Sequence, residues 1–216
     1  MINLLCRLCI GCKEIPIDTS EGEEKLFESF DHKHIKKERV PNWKLLIFVL
    51  IVAAFFLWHG TNYGPNGDEH VGIRIYFHVL GVIVIVINVL KLYFGRPRPH
   101  AYERSRYNLG TKKCEETDPR ELQDAQMSYP SGHATIVTAT SLLLIFDLNR
   151  IPPSGPFLWL ICCAFVVVVS CVSFYIAWSR VKDRWHHPSD ILAGILLSIC
   201  LVPILYWVEL KRLSVS

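Results

Sequence analysis

The sequence predicts an all-α protein, a multi-pass bundle of transmembrane helices. Hydrophobic residues make up 51% of the 216 residues, and they are gathered into long apolar runs between short charged stretches. A membrane-spanning helix needs about 20 mostly apolar residues. Alone or with flanking Trp, Tyr, Gly and Thr, which suit the membrane interface, five runs reach that length: Leu45–Trp58, Ile75–Leu90, Ala134–Phe146, Phe157–Trp178 and Ile191–Val208.

The fourth run argues against the alternative, a soluble helical protein with buried core helices. Phe157–Trp178 contains no charged residue and is too long for a typical core helix. We therefore divide the chain into a polar N-terminal segment at 1–40, a transmembrane domain at 41–208 and a short C-terminal tail at 209–216. The start of the chain lacks a signal-peptide pattern, because Arg7 interrupts a short apolar stretch.

Cysteine and charge are less informative. Four of the eight Cys lie inside apolar runs, where we expect inert packing. Cys6, Cys9 and Cys12 form a C-x-x-C-x-x-C pattern without the nearby fourth ligand that a zinc site needs, so they are read as ordinary thiols, with palmitoylation as the alternative. The net charge of +3 is small and no basic stretch alternates with aromatic residues, so no nucleic-acid partner is predicted.

Almost all the reactive side chains fall in two loops, at 95–129 and 179–190. Two crossings separate these loops, so both must lie on the same side of the membrane. The connections on the other side are short and plain. A one-sided concentration of Arg, Lys, His and Asp is what an active site at a membrane surface requires.

The first cluster of charged residues surrounds the end of the second apolar run. Arg98 lies seven residues after Lys91, a spacing that returns to the same helix face, although two prolines must end the helix nearby. For Lys91 alone, a charge that snorkels at a helix end is the better explanation. Together with Arg96, the group favours an anion site, because the planar guanidinium suits phosphate oxygens.

The second cluster, 129–133, directly precedes the third apolar run. Ser131 suits a helix cap, and backbone N–H groups at a helix start attract anions. Gly132 lets a ligand approach the backbone closely, and His133 stands beside it, able to give a proton. The alternative is a simple helix cap with an exposed histidine.

The third cluster runs from Ser179 to Asp190. His186 and Asp190 are four residues apart at a helix start, which can place the carboxylate against one imidazole nitrogen and leave the other free to attack. His187 is three residues from Asp190, so spacing alone leaves both histidines open. The alternative is an interfacial cluster of charges.

Taken in order, these clusters resemble the three-part signature of the type 2 phosphatidic acid phosphatase superfamily. The matching parts are Lys91-x6-Arg98-Pro99, Pro130-Ser-Gly-His133 and Ser179-Arg180-x5-His186-x3-Asp190. The resemblance covers about residues 41–208, and in detail the chain looks most like the animal lipid phosphate phosphatases. It implies that His186 is the nucleophile, that Asp190 orients it and that His133 is the general acid. It also implies a phosphate cradle, formed by Lys91, Arg98, Ser131, the Gly132 backbone and Arg180.

The resemblance implies an enzyme that hydrolyses lipid phosphomonoesters such as phosphatidic acid, lysophosphatidic acid, or sphingosine and ceramide phosphates, through a phosphohistidine. We expect no cofactor and no metal, since no set of carboxylates suited to Mg²⁺ is evident. Lipid phosphates in the bilayer are the expected partners. A homo-oligomer is compatible with the sequence, which leaves the oligomeric state open. The alternatives are a polyprenyl diphosphate or sugar phosphate phosphatase of the same superfamily, and a catalytically silent membrane protein that binds lipid phosphate.

The expected location is the plasma membrane or an endomembrane, with the active site facing the lumen or the cell exterior, as the family implies. The chain departs from the family in one respect. Family members usually have six spans, whereas this sequence shows five, with residues 1–40 in place of the first. A splice form or a truncated gene would explain that difference.

Overall fold

The computed structural model describes residues 38–64, 70–101, 103, 107–108, 113–114 and 118–213. Nearly all of the polar segment predicted at 1–40 lies outside these residues, including the three cysteines near the start. Six helices follow one another along the described chain: α1 Asn42–Tyr63, α2 Val71–Phe94, α3 Pro119–Ala125, α4 Gly132–Arg150, α5 Pro156–Lys182 and α6 Pro188–Leu213. The last helix therefore continues beyond residue 208, into the stretch predicted to be a tail.

The bundle is helical, as the apolar runs predict. Two strands of two residues each, β1 Tyr107–Asn108 and β2 Lys113–Cys114, pair antiparallel within the long loop between α2 and α3. Helix α2 ends at Gly95, whose φ of 54° lies in the left-handed region that glycine adopts without strain. The prolines that follow prevent the helix from continuing.

Four described helices are long and apolar enough to cross a membrane: α1, α2, α5 and α6. The expected third span, Ala134–Phe146, falls within α4, which is less apolar and is not among them, although it runs from the predicted catalytic loops to the other end of the bundle. Helix α4 has 19 residues, and several are Thr or Ser. Because it packs against all four of the other long helices, it is shielded from lipid and its surface need not be apolar all round.

The outer surface of the bundle is apolar. Phe157 and Phe174 of α5 are 76% and 73% exposed, and the other three spanning helices also present exposed Leu, Ile, Val and Trp. So large an exposed apolar surface marks contact with a membrane. The structure therefore shows an integral membrane bundle with α4 at its centre.

A buried group of charged residues joins the helices at the end of α4. The carboxylate of Asp147 lies 3.1 Å from His59 Nδ1 of α1 and 3.0 Å from Arg150 Nη2. A Cβ on Gly72 of α2 would lie 2.6 Å from Asp147 Oδ1, so only glycine fits at this approach. Buried charges are tolerated when they are paired. This group fixes α1, α2 and α4 at the end of the bundle opposite the predicted catalytic loops.

Candidate active site

The two loops predicted to carry the chemistry lie together at one end of the bundle. Arg96 Nη1 donates to Asp190 Oδ1 at 2.6 Å, and the ring of His100 contacts the Arg184 carbonyl oxygen at 2.7 Å. The Ser128 N–H donates to the Arg96 carbonyl oxygen. These contacts confirm that the described parts of loops 95–129 and 179–190 meet on one face.

His186 is held by the backbone rather than by the predicted carboxylate. Its Nδ1 lies 2.6 Å from the Ser128 carbonyl oxygen, whereas the distance from Nδ1 to Asp190 Oδ2 is 3.8 Å. Because a carbonyl oxygen can only accept a hydrogen bond, Nδ1 carries the proton. In the neutral ring Nε2 then keeps its lone pair. The geometry thus gives His186 the tautomer that attack through Nε2 requires.

Asp190 organises the groups around His186. It is fully buried, and its Oδ2 accepts hydrogen bonds from Ser128 Oγ at 2.6 Å and from the His187 N–H at 2.9 Å. Its Oδ1 accepts the hydrogen bond from Arg96. The carboxylate therefore ties the start of α6 to the segment that carries the Ser128 carbonyl, and through that carbonyl it positions the His186 ring.

The N-terminus of α4 provides a site for an anion. Ser131 occupies the N-cap position as predicted, but its side chain makes no capping bond, and within the described residues its Oγ is buried without a hydrogen-bond partner. Lys91 Nζ lies 3.7 Å from the position that a Cβ on Gly132 would take. An anion here would meet the first N–H groups of α4 and the Lys91 ammonium together.

Two buried arginines flank Trp185. The Cζ atom of Arg98 lies 4.5 Å from the ring centroid and that of Arg180 lies 6.0 Å from it. Arg98 Nη2 donates to Asp124 Oδ1 at 2.7 Å, and Arg180 Nη1 donates to Glu38 Oε2 at 2.8 Å. A guanidinium carries five N–H donors. Each arginine can therefore hold its carboxylate and also bind a phosphate oxygen.

The segment before α1 also reaches this site. Beside the ion pair of Glu38, the Arg39 N–H donates to Asp183 Oδ2 at 2.7 Å. The Val40 backbone also lies beside the ring of His133. No motif predicts these contacts, because Glu38 and Arg39 stand in a polar stretch far from the three motifs.

All the predicted site residues gather at this end of the bundle. They are His186, His133, Asp190, Lys91, Arg98, Ser131, Gly132 and Arg180. Ser128 was missed, and Arg96, predicted to bind an anion, instead faces Asp190. In the described part of the chain, no group of three or more His, Cys, Asp or Glu is arranged to hold a metal ion.

His186 is expected to stay neutral well below the pH at which an ordinary histidine titrates. Its burial lowers the pKa of the imidazole to about 4, and the positive charges of Arg98 and Lys91 act in the same direction, against the opposing effect of Asp190. An unperturbed histidine has a pKa of about 6.5. The unfolded chain therefore binds a proton as the pH falls through this window while the folded protein does not, so the free energy of unfolding decreases.

Histidine ring NMR signals followed against pH will test this expectation, with the His186 signal identified as the one lost in His186→Gln. The signal should remain that of a neutral ring at about pH 5. The same ring in the unfolded chain serves as the reference. Titration of the folded signal near pH 6.5 would contradict the prediction.

Comparison with known families shows which family this chain belongs to. The sequence pattern of the PAP2 superfamily matches residues 72–214, which is more than half of the chain. The chain belongs to the PAP2 superfamily. This confirms the resemblance that the three clusters indicated. The matched region contains α2, α4, α5 and α6, and with them every site residue predicted from the sequence.

The individual PAP2 proteins that resemble this chain do so at low sequence identity. The chain is 27% identical over 178 residues to lipid phosphate phosphatase 1 of Arabidopsis thaliana and 25% identical over 175 residues to probable lipid phosphate phosphatase 4 of the same plant. A PA-phosphatase related-family protein of Dictyostelium discoideum is 23% identical over 181 residues. These alignments cover 77%, 76% and 81% of this chain but only 52%, 56% and 62% of the relatives. The closer likeness to animal enzymes stays a prediction.

Proposed function

We propose that this PAP2 protein is a lipid phosphate phosphatase that works through a phosphohistidine. The observation that carries the proposal is the setting of His186: its Nδ1 is fixed by the Ser128 carbonyl, so Nε2 is the reactive nitrogen. Around this ring stand three cations and the N-terminus of α4. The names of the relatives and the apolar outer surface support a lipid as the substrate.

In the first step, the Nε2 lone pair of His186 forms a bond to phosphorus and the ester P–O bond breaks. The leaving alkoxide takes a proton from His133. Phosphoryl transfer is accelerated mainly by positioning and by neutralising charge on the phosphate oxygens. Lys91, Arg98 and Arg180 supply that neutralisation, together with the N–H groups at the start of α4.

In the second step, a water molecule attacks the phosphorus of the phosphohistidine. His133 accepts the water proton, the P–N bond breaks and its electron pair returns to His186. Inorganic phosphate leaves the site. While the ring carries the phosphoryl group, it bears a positive charge, and the Asp190 carboxylate 3.8 Å from Nδ1 stabilises that charge.

The proposal extends to the substrates and to the side of the membrane on which the active face lies. The substrates are phosphomonoesters such as phosphatidic acid, lysophosphatidic acid, or sphingosine and ceramide phosphates. The active face points to the lumen or the cell exterior, in the plasma membrane or an endomembrane. The first is supported by the relatives' names and the second by the family resemblance alone.

Hydrolysis is expected to persist in excess chelator and to be inhibited by vanadate. The carboxylates described at the site are already bonded to arginines, Asp190 to Arg96, Asp124 to Arg98 and Glu38 to Arg180. The other groups are cations, imidazole and hydroxyl, which repel or poorly hold Mg²⁺. Vanadate readily takes five-coordinate geometry, so a site complementary to the transition state should bind it tightly.

The measurement is phosphate release from phosphatidic acid micelles with chelator, with added Mg²⁺ and with vanadate. His186→Ala protein purified in the same way provides the blank for contaminating phosphatases. An absolute requirement for Mg²⁺ would overturn the metal-free mechanism. No release from any lipid phosphate would overturn the proposed function.

A further inference from the structure

A groove of about 350 Å³ lies between α1 and α5, on the outside of the bundle. Helix α1 packs on α2 and α4, and α5 packs on α4 and α6, which leaves the space between α1 and α5 unfilled. The rings of Phe55 and Phe165 stack across it, with centroids 4.4 Å apart, and join the two walls at one end. The lining is apolar except near the opposite end, where Lys44 and Tyr175 lie.

The α5 wall of this groove leads directly to a phosphate-binding residue. Phe165, Val169, Val172 and Ile176 line it at spacings of three or four residues, so they form one stripe along the helix. Three and four residues beyond Ile176, at the end of this face, stand Ser179 and the buried Arg180. A chain that lies along the stripe would therefore carry its headgroup to the Arg180 guanidinium.

The α1 wall leads to the same place. Val40 lines the open end of the groove, and its backbone lies beside the ring of His133. From Lys44 to Val52 this wall rises about 12 Å, at about 1.5 Å per residue. The groove is thus long and narrow, and it ends beside the proposed general acid.

The rim of the groove at this end is cationic. Arg39 Cζ and Lys182 Nζ lie 5.7 Å and 5.3 Å from the ring centroid of Trp178, and Lys44 is close by on α1. Among the described residues, the carboxylates here are Asp183, bonded to Arg39, and Glu38, bonded to Arg180. An incoming phosphate would compete with Glu38 for Arg180 Nη1. The rim complements an anionic headgroup, and the groove complements hydrocarbon.

We propose that the groove between α1 and α5 binds a hydrocarbon chain of the lipid phosphate while its phosphate lies at Arg180 and His186. The inference rests on the proposed function and adds to it the position of the chain. Because the chain comes from membrane hydrocarbon rather than from water, its gain in the groove is close packing against both walls. A long chain makes these contacts over the whole groove and a short chain over only part of it, so long-chain substrates are favoured.

The test narrows the groove without touching the catalytic groups. Val172→Trp and Val168→Trp place an indole in the groove on successive turns of α5. Val167→Trp is the matched control, because Val167 is 60% exposed on the same helix and does not line the groove. For each purified protein, kcat/KM is measured with dioleoyl and with dihexanoyl phosphatidic acid at equal surface fraction in detergent micelles.

We expect the ratio of long-chain to short-chain kcat/KM to fall about tenfold in the two groove variants, the equivalent of about 1.4 kcal/mol of lost packing between the chain and the groove. The ratio should be unchanged in Val167→Trp. Retained short-chain activity shows that a variant is folded. Two positions are substituted, so the test still stands if one of the variants does not fold.

Equal ratios in wild type and both groove variants would overturn the inference and leave the proposed function standing, since the enzyme would still hydrolyse lipid phosphates. An equal loss of long-chain and short-chain activity would also contradict the inference, because the indole would then disturb the catalytic site rather than the binding of the hydrocarbon chain. Absence of hydrolysis by the wild type with either lipid would instead remove the proposed function itself.

Discussion

Replacement of His186 by Ala is expected to abolish turnover, a loss of at least about a thousandfold, because no other group can form the phosphoryl intermediate. His187→Ala should keep much of the activity. The two histidines are adjacent in sequence, yet they are held differently. The ring of His186 is 4% exposed with Nδ1 on the Ser128 carbonyl, whereas the bond from His187 to Asp190 comes from its backbone N–H and survives the substitution.

Both variants should be assayed at matched expression with phosphatidic acid in micelles. Trapping with radiolabelled substrate, after an acid-free quench, adds a readout specific to the nucleophile. Labelled protein should appear with wild type and with His187→Ala but not with His186→Ala. Equal loss of activity in both variants, or a greater loss in His187→Ala, contradicts the assignment.

Asp190→Asn is expected to lower kcat by up to about ten-thousandfold, the loss known for a buried carboxylate beside a catalytic histidine that becomes an amide. The Asp190 carboxylate accepts hydrogen bonds from three donors: Arg96, Ser128 and the His187 N–H. An amide has one acceptor oxygen and one donor nitrogen, so it must present N–H groups to at least one of these donors. The Ser128 carbonyl that fixes the His186 ring would then shift.

Asp147→Asn is the matched control for this variant. Asp147 is equally buried and also bonded to histidine and arginine, but it lies at the other end of the bundle. It should lower thermal stability while the folded protein keeps its kcat. If the two variants lose kcat equally, the effect of Asp190 is one of general stability and its positioning role is wrong.

The sequence by itself determined the helical membrane bundle and the place of its chemistry. The apolar runs fixed α1, α2, α5 and α6 because a spanning segment must be apolar over its whole length. Counting the crossings then put loops 95–129 and 179–190 on one face. The three motifs indicated the residues that gather there, because each motif is local: Gly132 and His133 follow Ser131 at the helix start, and His186 stands four residues before Asp190.

Only the tertiary structure decided which groups touch. The sequence predicted that Asp190 orients His186, but the nearest partner is a backbone carbonyl, and main-chain acceptors carry no sequence signature. The contact of Glu38 with Arg180 joins residues 142 positions apart, and no local pattern encodes such a distance. Likewise α4 resembles a span in its sequence, yet it lies at the centre because four helices surround it. The spacing of residues along a helix determines which side chains share one face, whereas the packing of distant segments decides which residues those side chains contact.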